Sequence, residues 1–278
     1  MATGSIHMPP DSLSSEIALW FRGFERLVRV VFALIIREMK IRYGRSRMGY
    51  AMALVTPALQ KGLMVTIMVL YERKAPLGPS AVLFYWAGLS SYHMFGFTVS
   101  KCLISLKYAK KDRILPIVRP PDMLLARAIL EGSTNTVVNV IGFTLIYIFD
   151  TKMALPGAPL YVIESMALML MLGVGVSFIL AVVCVFFPTF MYLWRAVSIV
   201  LMLVSGTYKV ADSLPPNIRN ILWWNPVSHG IELFRLGFYP TYPDIFISVP
   251  YLATCACSSL FVGLALERVM RRRIAAHR

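Results

Sequence analysis

Apolar positions in this chain gather in long blocks and do not follow the short periods of a soluble fold. Six stretches stand out: Met48–Tyr71, Ala81–Ser100, Ala128–Phe149, Leu160–Phe187, Thr189–Tyr208 and Ile245–Leu266. Each approaches the ~20 residues a helix needs to cross a hydrocarbon layer. The pattern predicts an all-α membrane protein with six transmembrane helices. Ahead of them, over Glu16–Lys40, Trp20, Phe24, Leu27, Val28, Val31, Leu34 and Ile35 share one helical face, and Arg22, Arg26, Arg29 and Arg37 fall on another. Arg29 and Arg37 break the apolar run too early for a span, so this stretch predicts an N-terminal amphipathic helix lying in the interface. Before the last stretch, Gly206–Asp244 is rich in proline and aromatic residues, and predicts short periplasmic re-entrant helices.

Charge gives the six spans a direction. With a cytoplasmic N-terminus, only Arg73, Lys74, Lys152, Lys209, Arg219 and Arg235 of the 28 Lys and Arg residues fall on the opposite face, and Lys61 alone lies mid-span. That is the positive-inside bias, and it predicts both termini in the cytoplasm. The expected division is a cytoplasmic N-terminus, residues 1–47, followed by a transmembrane domain, residues 48–278, with a cytoplasmic loop at 101–127 and a periplasmic segment at 206–244.

Composition agrees, at 58% apolar residues with mean hydropathy +0.66. A net charge of +14 would suggest nucleic acid for a soluble chain, but here the basic residues flank spans, where anionic lipid headgroups are the simpler partner. Cys102, Cys184, Cys255 and Cys257 sit in or beside spans without metal-ligand spacing, so packing is their expected role. Met1–Ser15 is polar and does not resemble a cleavable signal.

Several groups carry candidate chemistry. Lys40, Arg42, Arg45 and Arg47 crowd the approach to the first span, and their forked or ammonium donors suit phosphate or carboxylate. Gly44 and Gly49 have Walker-like spacing, yet Tyr50 stands where lysine is needed, which argues against nucleotide binding. In the loop, Lys107-Tyr-Ala-Lys-Lys-Asp-Arg113 predicts a short charged helix, held by Pro116, Pro120 and Pro121, and Asp122 is placed to cap the third span. Gly132, Asn135, Thr136, Asn139 and Gly142 form a polar or small face in that span, expected to pack against another helix or to line a wet path. Tyr85, Trp86, Ser90, Ser91, Tyr92 and His93 mix rings with hydroxyl groups in the second span. Lys61 is expected to face a cavity or a partner. On the exported side, Trp223 and Trp224 suit the headgroup level. His229, Glu232 and Arg235 recur on one helical side without a third metal ligand, which favours internal hydrogen bonding over metal.

Arg37-Glu-Met-Lys-Ile-Arg-Tyr-Gly-Arg-Ser-Arg-Met-Gly-Tyr50, Val118-Arg-Pro-Pro-Asp122 with Arg127, and Trp224-Asn-Pro-Val-Ser-His-Gly-Ile-Glu-Leu-Phe-Arg235 together resemble the ABC-2-type permeases that export capsular polysaccharide in Gram-negative bacteria. The similarity spans roughly Val30 to Tyr242. It implies a non-enzymatic half-transporter of the inner membrane, a homodimer that binds two copies of a separate ATPase, which would hold ATP and Mg; no cofactor is expected in this chain. By the same resemblance Lys107, Lys110, Lys111, Asp112 and Arg113 would form the coupling helix. Arg42, Arg45 and Arg47 would meet a lipid-linked, anionic glycan, with Tyr85, Trp86, Tyr92, Trp223 and Trp224 as stacking rings. Asn225, His229, Glu232 and Arg235 would be structural. Periplasmic and outer-membrane export proteins would receive the product.

Other readings stay open on the residues alone. O-antigen or teichoic-acid permeases share nearly every feature. A proton-coupled carrier would use Glu131, Glu164 and His93, but the two halves show no clear repeat. A membrane enzyme would use His229 and Glu232, without a converging nucleophile.

Overall fold

The computed structural model describes residues 25, 28–29, 31–37, 39, 47–72, 75–111 and 120–276. These residues are helical or in turns. The long elements are α1 (Arg47–Glu72), α2 (Ala81–Lys111), α3 (Pro120–Phe149), α4 (Pro159–Phe186) and α5 (Phe190–Val204). Two short helices, α6 (Pro216–Trp223) and α7 (Pro226–Leu236), precede the last long one, α8 (Val249–Ala276). Single 3-10 turns stand at Lys152–Ala154 and Ala211–Ser213.

The long helices form a bundle around α2, which packs against α1, α3, α4, α5 and α7. From Leu83 to Phe95 every described residue of α2 is buried. Because protein surrounds that stretch, its side chains need not suit lipid, and the helix can carry Ser90, Ser91, His93 and Thr98 in its interior. This explains a difference from the sequence pattern. Among the described residues four helices are long and apolar enough to cross a membrane: Leu54–Glu72, Asp122–Phe149, Pro159–Phe186 and Val249–Met270. The polar content of α2 keeps it below that level although it has 31 residues. The stretch expected at Thr189–Tyr208 is helical only over the 15 residues of α5, and at 1.5 Å per residue it falls short of a ~30 Å hydrocarbon layer.

Two boundaries also move. The expected separate helix at Lys107–Arg113 does not form: Lys107, Lys110 and Lys111 lie on the last turns of α2, whose helical register simply continues, and Asp112 and Arg113 lie outside the described residues. The next helix begins at Pro120, since proline lacks only an N–H that a first turn leaves unpaired anyway. Asp122 therefore sits inside the first turn, where its charge complements the helix dipole, instead of capping it from outside. Of the amphipathic stretch, residues 31–37 are helical. Val31 and Leu34 are buried on Ala126 at the start of α3, while Val28, which the sequence places on the same face, is half exposed with Phe32 beside it. Most of Glu16–Lys40 lies outside the described residues.

Small residues set the closest crossings. A Cβ on Gly175 of α4 would stand 2.5 Å from the Leu260 backbone nitrogen of α8, and one on Gly263 would meet the Gly175 carbonyl at 2.8 Å. Gly142 of α3 lies under the Trp86 ring of α2, so this member of the polar-and-small face packs on a neighbouring helix. Gly175→Val should force α4 and α8 apart and cost about 1–3 kcal/mol; a lower thermal unfolding midpoint in detergent is the expected reading, with Gly62→Ala, whose Cβ meets nothing within 4 Å, as the tolerant control.

Candidate functional site

One end of the bundle collects the described connections 75–80, 150–158 and 205–248, and α7 is seated in its middle. Asn225 starts that helix: its Oδ1 accepts from the Val227 N–H at 3.1 Å, and its Nδ2 donates to Ser205 Oγ at 2.8 Å. Pro226 follows at the first helical position, where a missing N–H costs nothing. Every residue from Val227 to Arg235 is buried, so the polar ones must find partners inside.

They do. Arg235 is fully buried; its Nη1 donates to the Gly206 carbonyl at 2.8 Å and the Lys209 carbonyl at 3.3 Å, and its Nη2 to the Thr207 carbonyl. Gly206 supplies the positive φ, 77°, that turns those carbonyls toward the guanidinium. The guanidinium carbon also lies 3.8 Å from the Phe84 ring centroid. Glu232 stands 3.6 Å from Arg235, accepting from the Ala211 N–H at 3.2 Å and from the Tyr242 hydroxyl at 2.5 Å. Burial raises the Glu232 carboxyl above its ordinary value, opposed by Arg235, Tyr242 and the Ala211 N–H. The same burial raises the Tyr242 phenol.

His229 ties a third segment. The Ser248 N–H donates to Nδ1 at 3.1 Å, so Nδ1 carries no proton and Nε2–H donates to the Trp223 carbonyl at 2.7 Å. This fixes the neutral ring, stacked 5.0 Å from Phe246, and burial lowers its basicity. Asn225, His229, Glu232 and Arg235 thus reach four separate stretches of chain. Sequence reasoning missed their partners: the 206–209 carbonyls and Tyr242. The Ser-Gly-Thr run and the tyrosines beside Pro240 and Pro243 are the signals that could have found them.

The expected aromatic contacts divide. Trp224 is 71% exposed and Trp223 36%; Trp223 packs edge-on to Trp224 at 5.5 Å and stacks on Tyr251 at 5.0 Å. Tyr85, Trp86 and Tyr92 are buried. Tyr85 donates to Glu72 at 2.5 Å and Tyr92 to the Ser198 carbonyl, while Trp86 lies over Gly142. Arg42 and Arg45 lie outside the described residues, and Arg47 opens α1.

Lys61 does face partners. Buried in the middle of α1, its Nζ meets Ser90 Oγ at 3.2 Å and Asn139 Oδ1 at 2.5 Å, with the Trp86 ring centroid at 5.0 Å. Beside Asn139 a cavity of about 360 Å³ opens between α3, α4 and α7, walled by Phe143, Val162, Met166, Phe234 and Phe238. Arg127 and Glu131 pair at 3.3 Å, both buried; Glu164 is half-buried. No group of three His, Cys, Asp or Glu suited to a metal occurs among the described residues.

A bundle in which four helices are long and apolar enough to cross a membrane has the frame of a multi-pass membrane protein. Residues 29–239 match the ABC-2 type transporter family, and the chain belongs to it. It is similar to the capsule polysaccharide export inner-membrane protein CtrC of Neisseria meningitidis serogroup A, 28% identical over 247 residues, covering 86% of this chain and 89% of that relative. It resembles BexB of Haemophilus influenzae, of the same description, at 25% identity with 86% and 90% covered. The polysialic acid transport protein KpsM of Escherichia coli is 28% identical, with 88% and 95% covered.

Two outcomes follow from the network. Arg235→Ala strands Glu232 in an apolar interior and should lower stability by about 3–5 kcal/mol, read as a drop in the thermal midpoint of the purified protein. His229, held neutral below its ordinary basicity, contributes stability that is present above the unfolded value of ~6.5 and is lost as pH falls from there through the folded value. Between pH 7 and pH 5 the midpoint of the native protein should therefore change less favourably than that of His229→Gln, in which Glu232 keeps its opposite, acid-side contribution.

Proposed function

We propose that this chain is the membrane subunit of an ATP-driven exporter that moves a lipid-linked, anionic capsular polysaccharide across the bacterial inner membrane. The observation that carries this reading is the similarity to three differently named capsule and polysialic acid exporters, which covers more than four fifths of both partners in each case. Transport, not catalysis, is the role: the polar side chains of α7 are committed to holding the fold, and ATP and Mg belong to a separate ATPase.

In the proposed assembly two copies of this chain pair and two ATPase subunits dock beneath them. All six apolar stretches cross the membrane in the proposed topology, α2 as the shielded axis and α5 with help from its flanks, with both termini in the cytoplasm. Residues 206–244 then form a re-entrant periplasmic cap. The basic N-terminal part, residues 1–47, stands before the transmembrane domain, residues 48–278. Lys107, Lys110 and Lys111 at the end of α2, with Asp112 and Arg113 after it, couple to the ATPase. Arg42, Arg45 and Arg47 receive the acidic group of the glycan. Trp223 and Trp224 offer exposed ring faces to sugars at the exit, and periplasmic and outer-membrane export proteins take the polymer onward. Tyr85, Trp86 and Tyr92 shape the path from within the wall, because each ring is already enclosed.

Guanidinium groups at the start of α1 are the sharpest test. Arg45→Ala combined with Arg47→Ala should cut surface polysaccharide at least tenfold, measured by immunolabelling of whole cells, while membrane levels of the protein stay normal. Arg45→Lys with Arg47→Lys should restore part of it, since charge returns without the fork. Unchanged surface polysaccharide in the double alanine variant removes the assigned substrate contact.

A further inference from the structure

Lys61 is enclosed in the bundle with neutral partners: the only hydrogen bonds its ammonium makes among the described residues go to Ser90 Oγ of α2 and Asn139 Oδ1 of α3. The Ser90 hydroxyl donates its own proton to the Trp86 carbonyl, so a lone pair faces the lysine. A cation in this position needs a structural or functional reason, because water cannot reach it to share the charge.

A second pair of acceptors stands one turn away. His93 follows Ser90 by three residues on α2, and Asn135 precedes Asn139 by four on α3. Both intervals keep side chains on one helical face. The two helices run in opposite directions, so both steps lead the same way, toward the 112–119 connection. His93 Nδ1 and Asn135 Oδ1 are buried and have no hydrogen-bond partner. The Asn135 Nδ2 is already spent on the Glu131 carbonyl at 3.1 Å, which leaves its oxygen as the unused atom. His93 is fixed by stacking on Phe97, with centroids 4.0 Å apart. The same two helices therefore carry, one turn on by spacing, two further buried groups without partners, and His93 Nδ1 can accept in its Nε2–H tautomer. Unmade hydrogen bonds in a dry interior are costly; the rung that Lys61 occupies has its own at Asn139 Nδ2 and Trp86 Nε1.

The helix bearing the lysine is free to use it. Among the described residues of α1 only Lys61 and Val65 are buried, and Gly62 beside the lysine touches nothing where a Cβ would stand. At the other end the Glu72–Tyr85 hydrogen bond is the contact that a slide must open.

We infer that α1 has two registers in the bundle: Lys61 bonds either to Ser90 and Asn139, as here, or to His93 and Asn135 after α1 slides one helical turn, about 5 Å, toward its Arg47 end. The slide carries Arg47 and the basic run before it along the axis. The two registers follow from the packing alone; their use in transport rests on the exporter reading above.

Electron–electron distance measurement decides it. Spin labels go on Met52, near the Arg47 end of α1, and on Ile148, at the opposite end of α3, both well exposed, with the four native cysteines replaced by alanine or serine. The full chain is reconstituted in lipid vesicles. Asn139→Asp gives Lys61 a charged partner at the near rung and should hold the shorter distance. Asn135→Asp gives it one at the far rung and should lengthen the distance by about 5 Å. His93→Phe with Asn135→Leu removes the far rung and should leave only the shorter distance. Equal distances in the two aspartate variants overturn the proposal. Should Asn135→Asp fail to insert, Ser90→Ala with Asn139→Leu removes the near rung instead; an unlengthened distance there overturns it equally. Copurification of an ATPase from native membranes is scored separately: its absence counts against the exporter reading and leaves the distances to decide the registers.

Discussion

The loop-rich end of this protein is held by one guanidinium. Arg235 lies wholly inside, out of reach of bulk solvent. Its donors therefore impose a shape on the chain around them, since an unmade bond to a buried charge costs ~1–3 kcal/mol or more. Three carbonyls of 206–209 must turn inward, which requires the left-handed backbone at Gly206. Glu232 must stay near, and with it Ala211 and Tyr242. The turn after α5, the seat of α7 and the approach to α8 are in this way consequences of one buried charge.

The membrane interior poses the same problem at Lys61 and receives a weaker answer. A mid-bilayer lysine costs ~2.5–3.5 kcal/mol on insertion scales. Hydrogen bonds between a charged donor and neutral acceptors contribute ~1.5–3 kcal/mol each. Two of them, to Ser90 and Asn139, are enough to offset the cost. Arg235, with a carboxylate, three carbonyls and a ring face, is fixed; Lys61, with two neutral groups, is held but not locked. The difference between the two basic residues lies in the partner list, not in burial, which is complete for both.

Much of this was legible in the residues, and the failures share a cause. Apolar length revealed α1, α3, α4 and α8, because lipid-facing helices must be apolar in their own sequence. It placed α2 and α5 as well but not their ends, since α2 runs on to Lys111 and α5 stops at Val204. Protein rather than lipid surrounds α2, so its polar residues report on neighbours that a linear reading cannot see, and α5 ends at Val204 because the carbonyls after it are claimed by Arg235 from α7. The end of α2 was misread for a related reason: the apolar stretch stops at Ser100, so the charged run at Lys107–Arg113 looked like a separate short helix, yet one helix runs on through it to Lys111. Within the site, the Asn225–Arg235 block could be recognised from its spacing as internally bonded, while its partners, 20 or more residues upstream at Ser205 and 29 at Gly206, could not. Local spacing shows what a helix offers. It does not show what the fold brings to meet it.

The packing also separates a rigid part from a compliant one. Between α4 and α8 the backbones meet at Gly175 and Gly263, so any sliding there would drive main chain into main chain. Between α1 and its neighbours the contact is made by side chains: buried Lys61 and Val65, partly buried Leu54, Ala58, Met64, Met68 and Val69, the Glu72–Tyr85 hydrogen bond, and the rim of a cavity of about 310 Å³ past Gly62, Trp86 and Gly142. Interfaces made by side-chain ends can shift by a turn and remake equivalent contacts, whereas close-packed glycine crossings hold one arrangement. A transporter has to change shape somewhere without losing its fold. In this chain the glycine crossings hold α4 against α8, while α1 is buried only at Lys61 and Val65 among its described residues, so a change of shape is easier between α1 and its neighbours than between α4 and α8.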